Sequence, residues 1–525
     1  LPFAWVYLLP SSFVDFSKSI LYSLGFTSNF YFHYSGQQYA AESGLLKPFL
    51  HTWSLSVEEQ YYILFPIVFL ITFKYFRKYL IHILILGFVI SLSLAEWTSR
   101  NYPSISFYFI HTRMWELLVG SILAYYEITK GRKIKDKTLT IILPAIGLLL
   151  IGQSIIFFND EMFHPSLYTL SPVIGVSLII WFSSKKDQFI TNILSNKLLV
   201  GIGLISYSLY LWHYPIFAFS RLIEFTDGNI LKKLMLGVII LILSIFSYYF
   251  VEKPARKKYI RFKILKVIIV LFFSIIIFYS FQIIKKNGYQ DRLPEILKKD
   301  FIEKPYFLLK NSDGENCHNN ANGCRFNTDS NKKAYIIGDS HMASIMFDLK
   351  NRLLNKNYQI ITRTKGGCIY FPGFNLVHKK TTKVYKNCDD IYFQRIKEEL
   401  LLEKNSVIVL GGRFPLYLSN KWFDNLEGGR EENGKEWDYN YVANDNNINF
   451  KDSFKLELLE ILKNNKVIIM YPIPEVGWYP SRQIYLQWIN KKNKLSREFD
   501  LKSVDTSFNV FKNRSETSFE LLDSI

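Results

Sequence analysis

The serine in Gly338-Asp-Ser-His341 directly follows the apolar run Ala334-Tyr-Ile-Ile-Gly338. A short apolar run bounded by turn residues reads as a buried parallel strand. Ser340 then falls on a strand-to-helix turn, where its hydroxyl is exposed and the first backbone N–H groups of the helix face a developing oxyanion. That is the setting of a nucleophile. A plain turn capped by Asp339 or Ser340 accounts for the same residues. Gly366-Gly367 and Gly411-Gly-Arg413 follow the next two such runs and bring the backbone close at the same edge. A second stretch, Pro48 to Tyr62, sets polar residues directly before a long apolar run. His51 and Glu58 form an ionisable pair at the lip of a membrane helix, costly enough to be read as a functional site. Ser56 and Glu59 have the spacing of a capping box, which predicts a helix from near Val57 to Lys74.

The elements that position these residues are set by where the apolar side chains lie. The chain has 525 residues, a net charge of +18 and 49% hydrophobic residues. The apolar runs crowd the first half, up to about Gln282, and the chain beyond Gly288 is mixed in character. Runs at about 57–75, 80–97, 107–126, 138–158, 166–183, 198–220, 233–251 and 264–283 have the length of membrane-crossing helices, with Leu1 to Leu9 as the stump of another. The fold expected is therefore a polytopic α-helical membrane domain of about eight to nine helices followed by an α/β domain. The excess positive charge sits between apolar runs and no nucleic-acid motif accompanies it, which points away from a nucleic-acid partner and toward a lipid bilayer.

Basic residues set the orientation. Lys74 to Lys78, Lys130 to Lys135, Lys185-Lys186 and Lys253 to Lys258 occupy every second connection and are expected in the cytoplasm. The His51 stretch, the loop at 100–106, the loop around His164 and the second half then lie outside. Near that outer surface come His111, Arg113 and Glu116, at the outer start of the third span, and His213, near the outer end of the sixth. Arg113 and Glu116 are three apart and can pair on one helix face, as a structural ion pair or as part of a site. His213 suits a site and an interfacial histidine alike, and Trp53, Trp115, Trp212 and Tyr214 suit an aromatic belt. All four cysteines, Cys317, Cys324, Cys368 and Cys388, fall in the second half, where an even number suggests two disulfides in an oxidising compartment, with three pairings open. Four reduced thiols are the alternative, and the spacings make no zinc site; no metal is expected.

In the second half, Ala334–Gly338, Gln359–Thr362, Ser406–Leu410 and Lys466–Met470 read as parallel strands of a doubly wound domain, with a helix over Asp452–Lys463. Glu427–Asn447, punctuated by Gly428, Gly429 and Gly434, reads as an inserted surface loop. The domains expected are 1–260, a last membrane helix and linker at 261–333, and 334–525.

Several motifs then resemble a known family in order. Ser28-Asn-Phe-Tyr-Phe32, His51 to Gln60, Arg113-Met-Trp-Glu-Leu-Leu-Val-Gly120, Gly203 to Pro215 and Tyr249-Phe-Val-Glu-Lys-Pro-Ala-Arg256 resemble the acyltransferase-3 family of integral membrane acyltransferases, over about 1–260. The three glycine-bearing turns resemble the first three blocks of the SGNH hydrolases and esterases, a flavodoxin-like family, over about 334–525. That resemblance implies Ser340 as nucleophile, with its own N–H and that of Gly367 as oxyanion donors. The family's third block carries an Asn, where this sequence has Gly412-Arg413. Its base lies in an Asp-x-x-His block, which does not occur before Ile525; the histidines of this half are His318, His341 and His378. The chain also starts at Leu1, so it reads as a fragment at both ends, the Arg and His motif of the family's first helices being expected before Leu1. As it stands, the second domain is expected to hydrolyse poorly.

Together the resemblances imply a bacterial O-acetyltransferase of the inner membrane, its second domain extracytoplasmic. It would take acetyl-CoA or another acyl-CoA from the cytoplasm as donor. The acceptor would be a sugar hydroxyl of an envelope polysaccharide, lipopolysaccharide O-antigen or peptidoglycan. A carbohydrate acetyl esterase and a transporter of glycan or acyl carrier are the alternatives. The acceptor position, acyl chain and oligomeric state are not legible.

Overall fold

The computed structural model describes every residue except 37–43, 132–137, 160–161, 184–188, 227–228, 257–261, 294–308, 380, 386–387, 427–430, 432–435, 445–449, 478–479 and 493–504. The basic residues at 132–135, 185–186 and 257–258 and the glycines 428, 429 and 434 thus lie outside the described residues. Two compact units divide the chain, Leu1–Arg292 and Leu293–Ile525.

In the first unit each apolar run forms a helix, because such a run can satisfy its backbone only internally once it leaves water. The helices are Thr52–Tyr75, Leu80–Asn101, Ile110–Lys130, Leu139–Phe157, Leu170–Phe182, Lys197–Leu222, Ile230–Ser247 and Phe262–Lys285. Among the described residues five stretches, at 52–75, 77–101, 139–157, 230–256 and 263–285, are long and apolar enough to cross a membrane. Their large side chains point outward; Leu64, Ile67, Val68, Leu70 and Ile71 are each more than half exposed. Inside, small residues let the helices approach: a Cβ on Gly147 would stand 2.5 Å from the Gly175 carbonyl oxygen, so helices 139–157 and 170–182 cross on bare backbone. The first nine residues form a six-residue helix, Pro2–Tyr7, ahead of Pro10–Leu24.

The start of the Thr52–Tyr75 helix differs from the expected capping box. It begins a turn earlier, with His51 at the N-cap position and no side-chain cap. Ser56 lies inside the helix, where its Oγ accepts the Ser28 N–H at 3.2 Å and bonds the Ser28 hydroxyl at 2.7 Å. A buried partner from a neighbouring helix thus claims the hydroxyl that the local pattern assigned to capping.

In the second unit, β1 (Arg325–Phe326), β2 (Lys333–Gly338), β3 (Gln359–Thr364), β5 (Val407–Gly411) and β7 (Lys466–Ile469) form one sheet in the order β1-β3-β2-β5-β7. The last four are parallel, and β1 pairs antiparallel to β3 at the edge. Both faces are covered. Tyr335, Ile337, Ile361, Ile408 and Leu410 pack against helices Asp390–Leu402, Phe450–Leu462 and Phe508–Asp523. Ile336, Ile360 and Val409 pack against helix Ser340–Leu354 and the Cys317, Cys324 segment. The strand order reverses between β2 and β5, the place where doubly wound sheets open a crevice at their carboxyl ends.

The expected boundaries shift accordingly. The second unit's core takes in Leu309, Cys317 and Cys324 and its sheet takes in β1, all before residue 334, while the Phe262–Lys285 helix belongs to the first unit and packs on Pro10–Leu24. The expected loop at 427–447 is in part a strand. β6 (Tyr439–Ala443) pairs antiparallel with β4 (Phe374–His378), since its aromatic residues find the sheet's aromatic cluster rather than solvent.

Candidate functional site

Three turns meet at the carboxyl edge of the sheet. Asp339, fully buried, is their knot. It caps helix Ser340–Leu354 by accepting the His341 N–H at 2.8 Å, and its other oxygen accepts the Arg413 N–H and the Tyr417 hydroxyl, both at 2.8 Å. The turn after β2 is thereby tied to the turn after β5. Gly338 must be glycine here, because it holds φ +152 and a Cβ would stand 2.0 Å from the Gly411 carbonyl oxygen.

The turn after β3 is held from the other side. Lys365 donates its N–H to the Gly338 carbonyl at 3.0 Å, and Asn319 Oδ1 accepts the Gly366 N–H at 2.8 Å. Gly367 adopts φ +75, and the Tyr385 ring lies so close that a Cβ would meet it at 2.8 Å. After these bonds are made, the amides of Ser340 and Gly367 are among those at this edge that have no acceptor among the described residues. Ser340 is half-buried, and its Oγ makes no hydrogen bond among the described residues.

The third block supplies no side-chain donor to the turn. The Arg413 amide is taken by Asp339, and its guanidinium pairs with Glu431 and Glu475 and stacks on Trp422 at 5.6 Å. Burial draws the Arg413 pKa down, but the Glu475 and Glu431 carboxylates outweigh it and hold the group above its ordinary value. Of the three histidines, His341 lends the turn its backbone amide while its Nδ1 is buried without a hydrogen bond among the described residues. His378 lies on β4 against Tyr439. His318 is buried beside the Gly366 turn, its Nδ1 3.2 Å from Thr364 Oγ1. Burial holds its imidazole below the usual value, with the Asp339 carboxylate opposing. The cysteines pair as Cys317–Cys324 and Cys368–Cys388, and both bridges flank the Gly366–Gly367 turn. Among the described residues no group of three His, Cys, Asp or Glu side chains could hold a metal.

In the first unit the structure gathers part of the polar set. The His51 ring is buried between Tyr214, stacked at 5.3 Å, Tyr210 at 5.3 Å and His213 at 5.7 Å. Tyr210 donates to the His51 carbonyl at 2.6 Å and bonds Ser54 Oγ at 2.5 Å. Arg113 and Glu116 pair at 3.3 Å, and the guanidinium lies over Trp53 at 5.1 Å and Phe107 at 5.0 Å. Glu58 makes no hydrogen bond among the described residues but lies within electrostatic reach of Tyr207 and Tyr210. Tyr207 also feels Glu59 and Glu252, and Glu252 accepts from Ser208 at 2.9 Å and Arg256 at 2.6 Å. His111 is exposed and stays outside this set. Tyr210, Tyr214 and Glu252 were not singled out in the sequence as site residues. A signal was present for Tyr210, which precedes His213 by three residues on one helix face.

Residues 19–249 match an acyltransferase domain family, and residues 310–525 match an SGNH domain described as fused to AT3 domains. The chain is similar to the peptidoglycan O-acetyltransferase OatA of Listeria monocytogenes, 30% identical over 267 residues, which cover 48% of this chain and 42% of that protein. It is similar also to a putative peptidoglycan O-acetyltransferase, YrhL, of Bacillus subtilis, 30% identical over 256 residues, 46% of this chain and 39% of that one. A putative O-acetyltransferase of Staphylococcus aureus is 32% identical over 273 residues, 49% and 44% of the two chains. The chain thus spans less than half the length of these curated relatives. No solved structure matches it.

Proposed function

We propose, for a chain that belongs to the acyltransferase-3 family and carries an SGNH domain fused to it, that it is an envelope-polysaccharide O-acetyltransferase. The donor is acetyl-CoA or another acyl-CoA in the cytoplasm. The acceptor is a sugar hydroxyl of a cell-envelope polysaccharide, with peptidoglycan, named for two of the relatives, to be tested ahead of lipopolysaccharide O-antigen. The protein sits in the bacterial inner membrane with its second unit outside, a placement that draws on the basic connections and on two disulfides suited to an oxidising space.

The observation that carries this reading is that, among the described residues, the Ser340 and Gly367 amides have no acceptor and the Ser340 hydroxyl makes no hydrogen bond, on turns joined by the Lys365 to Gly338 bond. In the final stage the Ser340 oxygen attacks the acyl carbonyl, whose oxygen turns toward the two amides as it gains charge. The bond to the acyl carrier breaks, and the carrier leaves with the proton that the serine gave up. A sugar hydroxyl then attacks the acyl-serine; its proton returns to Ser340 Oγ as the ester forms on the sugar. His51, His213, Arg113, Glu116 and Glu58 are the residues of the first unit that we assign to passage of the acyl group. Their buried ring cluster and ion pair support that role, since such groups are costly at membrane depth unless they are used.

The test is the O-acetyl content of purified envelope glycan from cells carrying the protein or its Ser340→Ala variant. The reading expects ester-linked acetate in the first and its loss in the second at equal protein level. A variant that increases acetate would instead mark an esterase, and unchanged acetate would remove Ser340 from the reaction.

A further inference from the structure

The loop closed by Cys317–Cys324 lies outside the three turns that make the serine site, yet it reaches one of them. It joins the sheet edge at several points. Asn319 donates its N–H to the Thr364 carbonyl at 3.0 Å, Cys324 donates to Thr362 Oγ1 at 2.9 Å, and Thr362 donates back to the Cys324 carbonyl at 3.0 Å. Gly323, at φ +60, presses so close to β3 that a Cβ would stand 1.7 Å from the Thr362 carbonyl oxygen. Asn319 itself holds φ +65, a left-handed conformation that Asn tolerates better than most residues. So held, its side-chain oxygen accepts the Gly366 N–H at 2.8 Å.

That bond decides which amide of the turn remains open. Gly366 and Gly367 are neighbours, and it is the Gly366 N–H that meets Asn319 Oδ1. With Gly366 bound to Asn319 and Lys365 bound to Gly338, rotation of the Gly367 peptide is blocked from one side, and the Tyr385 ring stands against it on the other. Arg413 of the third block contributes no donor, because its amide and guanidinium are both committed. With the Arg413 amide and side chain withdrawn, the aim of the Gly367 N–H counts for more.

We infer that Asn319, carried on the disulfide-closed loop, is a positioning residue that aims the Gly367 amide at the oxyanion of the Ser340 reaction. The inference rests on the serine reading above. Removing an oxyanion donor outright lowers turnover by about a hundredfold to a thousandfold; letting one drift out of aim should lower it by about tenfold.

The experiment uses the full-length protein in its membrane and a fluorophosphonate, whose phosphorus bonds to Ser340 Oγ as fluoride leaves and whose oxygen occupies the oxyanion position. Reversible affinity and the rate constant of bond formation are measured separately, with Asn319→Gly, Asn319→Asp and a Cys317→Ser, Cys324→Ser double variant. Glycine keeps the left-handed backbone and removes only the side-chain acceptor. The expected result is a rate constant about tenfold lower in Asn319→Gly, with affinity unchanged. Asn319→Asp, which still offers an oxygen, stays within about threefold of wild type because the site is exposed and its charge is screened. The double variant, which frees the loop, behaves as Asn319→Gly does. A wild-type rate in Asn319→Gly overturns the proposal, as does a loss in Asn319→Asp equal to that in glycine, or a loss of affinity matching the loss of rate. If wild-type Ser340 does not react at all, the serine reading itself fails, and this proposal with it.

Discussion

Asp339→Asn tests how the serine turn is held, and its size can be worked from the three bonds. The carboxylate accepts from His341 N on one oxygen and from Arg413 N and Tyr417 Oη on the other. An amide in its place keeps one oxygen for Arg413 and Tyr417 and sets an NH2 against the His341 N–H. Loss of the cap bond costs about 1 kcal/mol. Loss of the charge that strengthens the remaining two costs about 0.5 to 1 kcal/mol each. The relief of no longer burying a charge returns part of this, leaving a net of about 2 kcal/mol. Tyr417→Phe removes one hydrogen bond to a charged acceptor and should cost about 1.5 kcal/mol. Hydrogen exchange read by mass spectrometry on the intact protein reports both locally. Peptides covering 339–343 and 411–417 should lose about thirtyfold in protection in Asp339→Asn and about tenfold in Tyr417→Phe, at 1.4 kcal/mol per factor of ten. Peptides of the Phe450–Leu462 helix should change far less. If both variants stay within threefold of wild type over the two turns, Asp339 does not tie them and the reasoning is refuted.

Other perturbations have equally definite outcomes. Gly367→Ala forces a side chain into φ +75 and against the Tyr385 ring, a backbone cost of about 1 to 2 kcal/mol; reaction of Ser340 with a fluorophosphonate should slow at least tenfold, and a normal rate would remove Gly367 from the site. Burial lowers the His318 pKa in the fold, with the Asp339 carboxylate opposing. The unfolded chain then binds more protons below about pH 6.5, so the second unit should lose stability as pH falls from there toward the folded-state value and be fully stabilised above it. His318→Gln should flatten that part of the thermal midpoint against pH, and parallel curves for the two proteins would contradict it. Arg113→Lys keeps the charge but gives up the planar contact with Trp53 and Phe107; glycan acetylation should fall at least tenfold, and normal acetylation would show that charge alone suffices.

The features legible in the sequence were those that local patterns encode. The helices stand where the apolar runs stand, and β2, β3, β5 and β7 lie where short apolar runs meet turn residues. Ser340 opens the helix after β2, and the next two glycine-bearing turns are tied to the turn before it. The hidden features depend on partners far apart in the chain. Asn319 and Gly366 are 47 residues apart, and Asp339 and Tyr417 are 78 apart. No periodicity marks either pair. Ser56 shows the converse, a local signal overridden when Ser28 offered a buried partner. β1, only two residues long, is too short to carry an alternating pattern and exists because β3 has an open edge. Arg413 was visible as a departure from the SGNH pattern, but its neutralisation by Glu431 and Glu475 required the fold.

The most direct test of the central claim tracks the acyl group itself. Membranes containing the full-length protein are given isotopically labelled acetyl-CoA on the cytoplasmic side, quenched with acid before acceptor is added, and the peptide bearing Ser340 is weighed. The account predicts one labelled acetyl group on Ser340, absent from the Ser340→Ala variant and discharged when envelope glycan is supplied. Label that reaches the glycan at full rate while Ser340 never carries it would contradict the account and place the transfer wholly within the first unit.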